Sequence, residues 1–190
     1  MREIVYTAFT SLDGVVDSPG GPVEGHRSGG WTFQDIEFLP EAYALKGEEL
    51  EETSALMFGR ASYQAFAPVW PDSADHAGYK DLPKYVVSTT LAEADLTEGW
   101  GETTILRSTD EVAELRKGEG GAIFIHGSAE LARRLSEAGL IDRYHLLMYP
   151  VLLGAGKSLF SRADNDKRLL TLRASEAYPN GILKLIYDVG

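Results

Sequence analysis

The chain contains no cysteine. A disulfide framework, a thiolate-held metal and a cysteine nucleophile are therefore excluded. Positive charge is also scarce. Against 29 acidic residues stand 18 basic ones, a formal net charge of -11. A nucleic-acid backbone needs a basic face, so nucleic acid is not expected as a partner. A small anion needs only a local cluster of donors and remains open. Long apolar runs are missing as well. The most apolar stretch, Tyr144 to Leu153, is about half the length of a membrane helix and contains His145 and Pro150. The opening residues, MREIVYTAFTSLDG, lack the basic segment and apolar run of a signal peptide. No membrane partner is expected, and a cytoplasmic location is. There is no internal repeat and no low-complexity segment.

What is present suits one domain spanning residues 1–190. The chain is 44% hydrophobic and 25% charged, an ordinary globular balance with enough length for a full core. Glycine and proline gather at 18–30 in SPGGPVEGHRSGG, a loop signal. A loop of that length is either functional or a disordered insertion.

Elsewhere strand-like and helix-like segments alternate. Residues 3–9, 55–58, 84–88, 103–106, 121–125 and 143–152 read as strands. Residues 40–53, 60–66 and 128–139 read as helices, the first opened by Pro40. A further helix follows 103–106, capped by Thr109 or Asp110. In the helix over 128–139, Leu131, Leu135 and Ala138 share one face and Gly139 is the stop. Two last strands, 168–177 and 182–189, flank YPNG, a hairpin signal. This order predicts an α/β fold: three layers, α/β/α, around a mixed, mostly parallel sheet that closes in a C-terminal β-hairpin. Ligands of such sheets sit at the carboxyl ends of the strands.

Four segments at those ends carry chemistry. In MFGRASY (57–63), Gly59 permits a sharp turn, Arg60 offers a fork for phosphate, and Ser62 lies in the helix start. In VVSTTL (86–91), Ser88, Thr89 and Thr90 can donate to phosphate or ribose. In IFIHGSAEL (123–131), Gly127 allows close approach of a pyrophosphate, and Ser128 caps the helix or touches the ligand. His126 reads as a structural histidine. This segment is not G-x-G-x-x-G, which disfavours a Rossmann domain. YPVLLGAGKSLF (149–160) lacks the spacing of an NTPase phosphate loop. Each segment alone also fits an ordinary capped turn.

Taken together and in this order, the blocks resemble the dihydrofolate reductase superfamily, which includes the riboflavin-biosynthesis reductase domain. SLDGVV (11–16), MFGRASY, KYVVSTTL, HGSAEL, LIDRYHLLMYP (140–150) and PVLLGAGKSLF carry the likeness. Trp31 and VWP (69–71) resemble a small stand-alone bacterial branch. The resemblance implies NADPH across the carboxyl edge of the sheet. Arg60, with Ala61 and Ser62, would meet the 2′-phosphate. Ser88, Thr89 and Thr90 would line the adenine-ribose side. Gly127, Ser128 and Ala129 would cradle the pyrophosphate, beside the Gly59 turn. Ala8, Asp13 and Gly14 would lie near the nicotinamide. Asp13 and Glu41 are the catalytic candidates, Glu41 from a helix that also holds Glu48, Glu49, Glu51 and Glu52. Trp31, Phe33 and Trp70 could stack on a flat heterocycle or simply pack. Arg27 and Lys157 are the nearby candidates for a ribose phosphate. The implied reaction is NADPH-dependent reduction of a pteridine- or pyrimidine-type ring. The nearest named activity is 5-amino-6-(5-phosphoribosylamino)uracil reductase. A dihydrofolate reductase-type activity, a flavin-using reductase and a non-catalytic nucleotide-binding or regulatory module are the alternatives. A homodimer through the C-terminal strands is implied too.

Overall fold

The computed structural model describes residues 1–21, 25–160 and 167–190. The central strands are continuous apolar runs, because both of their faces are covered. In β1 (Ile4–Ser11), Ile4, Val5 and Tyr6 are all fully buried. Ile123, Phe124 and Ile125 are equally buried in β5 (Ala122–His126). The remaining strands are β2 (Thr53–Gly59), β3 (Lys84–Val87), β4 (Thr103–Leu106), β6 (Arg143–Tyr149), β7 (Leu170–Ala177) and β8 (Leu183–Val189). Among the described residues these eight form one sheet in the order β4-β3-β2-β5-β1-β6-β8-β7. The first six are parallel to their neighbours; β8 and β7 add antiparallel.

Alternate residues of each strand feed opposite layers. Ile4, Tyr6, Met57, Ile123 and Ile125 pack with Val112 of α3 (Thr109–Lys117) and with Leu131 and Leu135 of α4 (Ala129–Glu137). Val5, Leu56, Phe58 and Phe124 face the other way, toward Tyr63 of α2 (Arg60–Phe66), Trp70 and Trp100. That second layer continues into Ala42 and Leu45 of α1 (Pro40–Glu52), packed with Leu147, Tyr149 and Ile186. The expected α/β/α sandwich with its closing hairpin is what the chain forms. Among the described residues, no helix is long and apolar enough to cross a membrane.

Local details correct the sequence reading in two places. The cap of α3 is Ser108, whose side chain accepts from Glu111 N–H, not Thr109 or Asp110. Ala138 is exposed, and Ala132 takes its place beside Leu131 and Leu135 on the inner face of α4. The hairpin signal holds: Asn180 and Gly181 lie in the connection 178–182 between β7 and β8. There Tyr178 N–H donates to Ile182 O and Gly181 takes φ +85°. Of the 18–30 loop, residues 22–24 lie outside the described residues. Just after the loop Trp31 packs inward, its indole Nε1–H donating to Asp17 O, just before the loop, at 2.8 Å.

Candidate active site

Because β2 and β5 are parallel neighbours, they end side by side. Each opens into a helix through glycine, and the two turns are joined directly. Gly59 N–H donates to Ser128 Oγ at 2.8 Å. Ser128 itself sits in the left-handed region at φ +60°, and Gly127 precedes it at φ +64°. The hydroxyl therefore serves the neighbouring strand and makes no cap bond to α4. The first amides of α4 are left for an anion. A Cβ built on Gly127 would stand 3.3 Å from Phe66 Cζ and Ser62 Oγ, which explains the glycine there.

Around these turns lies a cavity of about 1460 Å³. At one end Arg60 Nη1 donates to Thr90 Oγ1 at 2.7 Å, and its Nε donates to Gln64 Oε1 at 3.2 Å. Ser88 Oγ accepts from the Thr90 and Leu91 amides, which folds 88–91 into a tight hook. Arg107 braces that hook by donating to the Ser88 and Leu91 carbonyls, and it also lines the cavity. The structure brings Gly59, Arg60, Ala61, Ser62, Ser88, Thr89, Thr90, Gly127, Ser128, Ala129 and Ala8 to this one cavity, but not Gly14. Arg107 was missed in sequence. It stands one residue past β4, where a single arginine carries no pattern. Two guanidinium groups, hydroxyls and a glycine-opened helix form a donor set that fits a phosphorylated dinucleotide.

The cavity wall is otherwise largely aromatic. Phe33, Phe38, Tyr43 and Trp70 line it, with Tyr79 and His76. Trp70 stacks on Phe66 and on His76, with ring centroids 4.7 Å and 4.2 Å away. Trp31 does not reach the cavity. It packs edge-on against Tyr149, so its role is structural. His126 lines the cavity between Trp70 and Tyr79, and its Nε2 has no hydrogen-bond partner among the described residues. Burial, aided by the nearby Lys46 charge, pushes its imidazole down to about 3. It is neutral at physiological pH.

Neither proposed catalytic carboxylate faces this cavity. Asp13 accepts from Ser11 Oγ, Leu153 N–H and Gly154 N–H. It clasps the first strand exit to the 151–157 loop, and those hydrogen bonds, led by Ser11, hold its carboxyl below the ordinary range. Glu41 is exposed in the first turn of α1. The inward carboxylate of that helix is Glu49, which is fully buried. The spacing Ala42, Leu45, Glu49 marks it: steps of three and four put it on the buried stripe.

Glu49 is the centre of a four-residue cluster. Its Oε1 accepts from Thr7 Oγ1 at 2.6 Å and lies 3.1 Å from His145 Nδ1. Its Oε2 accepts from Lys46 Nζ at 3.0 Å, and Lys46 also reaches Thr7 Oγ1 at 2.5 Å. Thr7 is in register with His126 on β5 and His145 on β6, so all three project on the α1 side of the sheet. Burial works against the charged form of Glu49. The Lys46 ammonium and the His145 contact outweigh it and hold the carboxyl well below its ordinary 4.5.

Fold and cavity together define an α/β domain with a large cleft at the carboxyl edge of its sheet. The chain belongs to the RibD C-terminal domain family, whose match spans residues 2–184. It is 27% identical over 194 residues to the uncharacterized protein YyaP of Bacillus subtilis (strain 168), covering 98% of this chain and 94% of that protein. Among solved structures it is similar to a putative riboflavin biosynthesis protein from Shewanella sp. PV-4, with a TM-score of 0.78 at 19% identity over 99% of both chains. It is also similar to a dihydrofolate reductase from Enterococcus faecalis complexed with NADP(H), with a TM-score of 0.62 at 14% identity, covering 99% of this chain and 96% of that one. Such distant likeness supports the fold alone.

The cluster makes two predictions. Lys46→Met leaves a buried charge unpaired and is expected to lower unfolding free energy by about 3 kcal/mol, with Lys46→Met/Glu49→Gln recovering part of the loss. Denaturant melts of the three proteins check this; an additive double variant would contradict it. Because the folded carboxyl of Glu49 titrates below the unfolded one, its stabilisation is present above about pH 4.5 and is lost as pH falls toward about 2. The stability difference between wild type and Glu49→Gln should therefore shrink on acidification. A difference constant from pH 7 to pH 3 would contradict it.

Proposed function

We propose that this chain is an NADPH-dependent reductase of a planar pteridine- or pyrimidine-type heterocycle. One observation carries the reading. A single cavity is lined both by the Gly127–Ala129 turn and Arg60, whose amides and guanidinium suit an anion, and by Phe33, Tyr43 and Trp70 together with Thr7 and Ala8. When bound, NADPH supplies the hydride. The residues of this chain bind, orient and exclude water. Arg60 and Thr90 hold the 2′-phosphate, Gly127, Ser128 and Ala129 receive the pyrophosphate, and Ala8 lies beneath the nicotinamide. Phe33 and Trp70 flank the ring to be reduced.

Within the superfamily, reduction of 5-amino-6-(5-phosphoribosylamino)uracil is the nearest named reaction. Its ribose phosphate would fall to Lys157, which lines the cavity beside Asp17; Arg27 is exposed outside the lining. A second reading is a nucleotide-binding or regulatory module that lost the chemistry. It is favoured by Asp13 and Glu41, both turned away from the cavity. NADPH binding without oxidation across pterins and riboflavin precursors would select it.

Arg60→Ala should weaken NADPH by about tenfold or more, as loss of a charge-assisted contact does, and leave NADH nearly unchanged. Calorimetric titration with both cofactors checks this, and equal losses would refute the assignment. We also infer a homodimer across β7. All eight residues of that edge strand are exposed, Leu170 and Leu172 included, and among the described residues its outer edge is unpaired in the single chain. Light scattering should give twice the 20.8 kDa chain mass, and Leu172→Lys should restore the single mass. A wild-type monomer at high concentration would overturn it.

A further inference from the structure

Lys46 has a donor left over. Its ammonium carries three N–H groups. One is directed at Thr7 Oγ1 and one at Glu49 Oε2. The side chain lines the cavity and keeps about a quarter of its surface open, 24%. Thr7, Glu49 and the Phe9 ring hold its head, with Nζ 5.0 Å from the ring centroid. A lysine on a flexible stem normally loses rotamer entropy when it grips a ligand. Here the protein has already fixed that stem.

The electrostatics narrow what the third donor can take. Glu49 sits directly behind Lys46 and balances its charge. A dianionic phosphate would meet that carboxylate as well as the ammonium. A neutral carbonyl oxygen or a singly ionised ring amide would meet only a strong, pre-aimed hydrogen bond. The walls narrow it further. Phe33 and Tyr43 lie within 25° of parallel, and Tyr43 also contacts Phe9 and Phe38. Gly47, the next residue, lines the same cavity with open space where a Cβ would stand. A glycine inside a helix costs about 1 kcal/mol against alanine, yet here it leaves the wall bare beside the lysine.

We propose that Lys46 is the residue that grips the substrate. Held by Thr7 and Glu49, it donates to a ring carbonyl or ring-amide oxygen on the edge of a planar heterocycle. The inference rests on the reductase reading and specifies its substrate end. Thr7 immediately precedes Ala8, so an oxygen anchored at Lys46 orients the ring next to the place assigned to the nicotinamide. Glu49 is a positioning residue, since it is fully buried and acts through Lys46.

The test compares two planar probes in calorimetric titrations: lumazine, a pteridine with two ring carbonyls, and quinoxaline, a bicycle with none. Each is titrated with and without saturating NADP⁺. Wild type should prefer lumazine by about tenfold or more, the usual worth of one hydrogen bond to a charged group. Lys46→Met should shrink the preference to within about twofold, and Lys46→Arg should keep about a threefold preference. If Lys46→Met fails to fold, Lys46→Met/Glu49→Gln removes both charges and should show the same loss. A preference that survives without Lys46, or a wild type that prefers neither probe, overturns the proposal. NADP⁺ affinity reads the reductase proposal separately. Failure to bind NADP⁺, alongside a lysine-dependent preference for lumazine, would refute the cofactor and leave the grip standing.

Discussion

One hydrogen bond organises the carboxyl edge of the sheet where β2 and β5 end: Gly59 N–H to Ser128 Oγ. It spans two parallel strands at the point where both stop and turn into helices. Any residue in the left-handed region other than glycine is strained, and Ser128 takes that conformation next to Gly127. The strained turn keeps the serine hydroxyl on its neighbour and off its own helix. The α4 amides then face the cavity without a side-chain cap. Arg60 follows Gly59 directly, so the hydrogen bond ties the turn that carries the guanidinium to the turn that opens α4. The apolar sheet beneath, with Ile123, Phe124, Leu56 and Met57 fully buried, gives that backbone nowhere to move.

The substrate end depends on a different kind of constraint. Glu49 is a carboxylate with no exposed surface, and such a group persists only with partners. Thr7, Lys46 and His145 supply them from one helix and two strands. The cluster fixes α1 against the sheet and at the same time fixes a lysine at the cavity floor. The same charges thus hold both the helix and the lysine. The neutral His126, in register with Thr7, adds an unpartnered ring nitrogen on the adjoining strand.

The two ends differed in how far sequence could show them. The cofactor end is made of short contiguous segments, MFGRASY, VVSTTL and HGSAEL, each a strand end with glycine or hydroxyls. Local order is enough to read them, and sheet topology then brings them together. The substrate end joins Thr7, Lys46, Glu49 and His145, which no local pattern links. Asp13 misled because a carboxylate just after a strand exit serves equally well as a loop clasp, accepting two amides from 153 and 154. Glu41 misled because it was judged by position along the helix and not by face. The three-and-four spacing from Ala42 through Leu45 points to Glu49. Trp31 belongs to the core beside Tyr149, a role that aromatic character alone cannot separate from stacking on a ligand.

The central claim is geometric: a dinucleotide lies along the carboxyl edge of the sheet, its phosphates against α4 and Arg60. A crystal structure of the protein with NADP⁺ tests it most directly. The account predicts pyrophosphate oxygens within hydrogen-bond distance of the Ala129 amide, a 2′-phosphate between Arg60 and Thr90, and the nicotinamide over Ala8. A cofactor bound elsewhere, or crystals grown at saturating NADP⁺ that show this edge without it, would contradict the account.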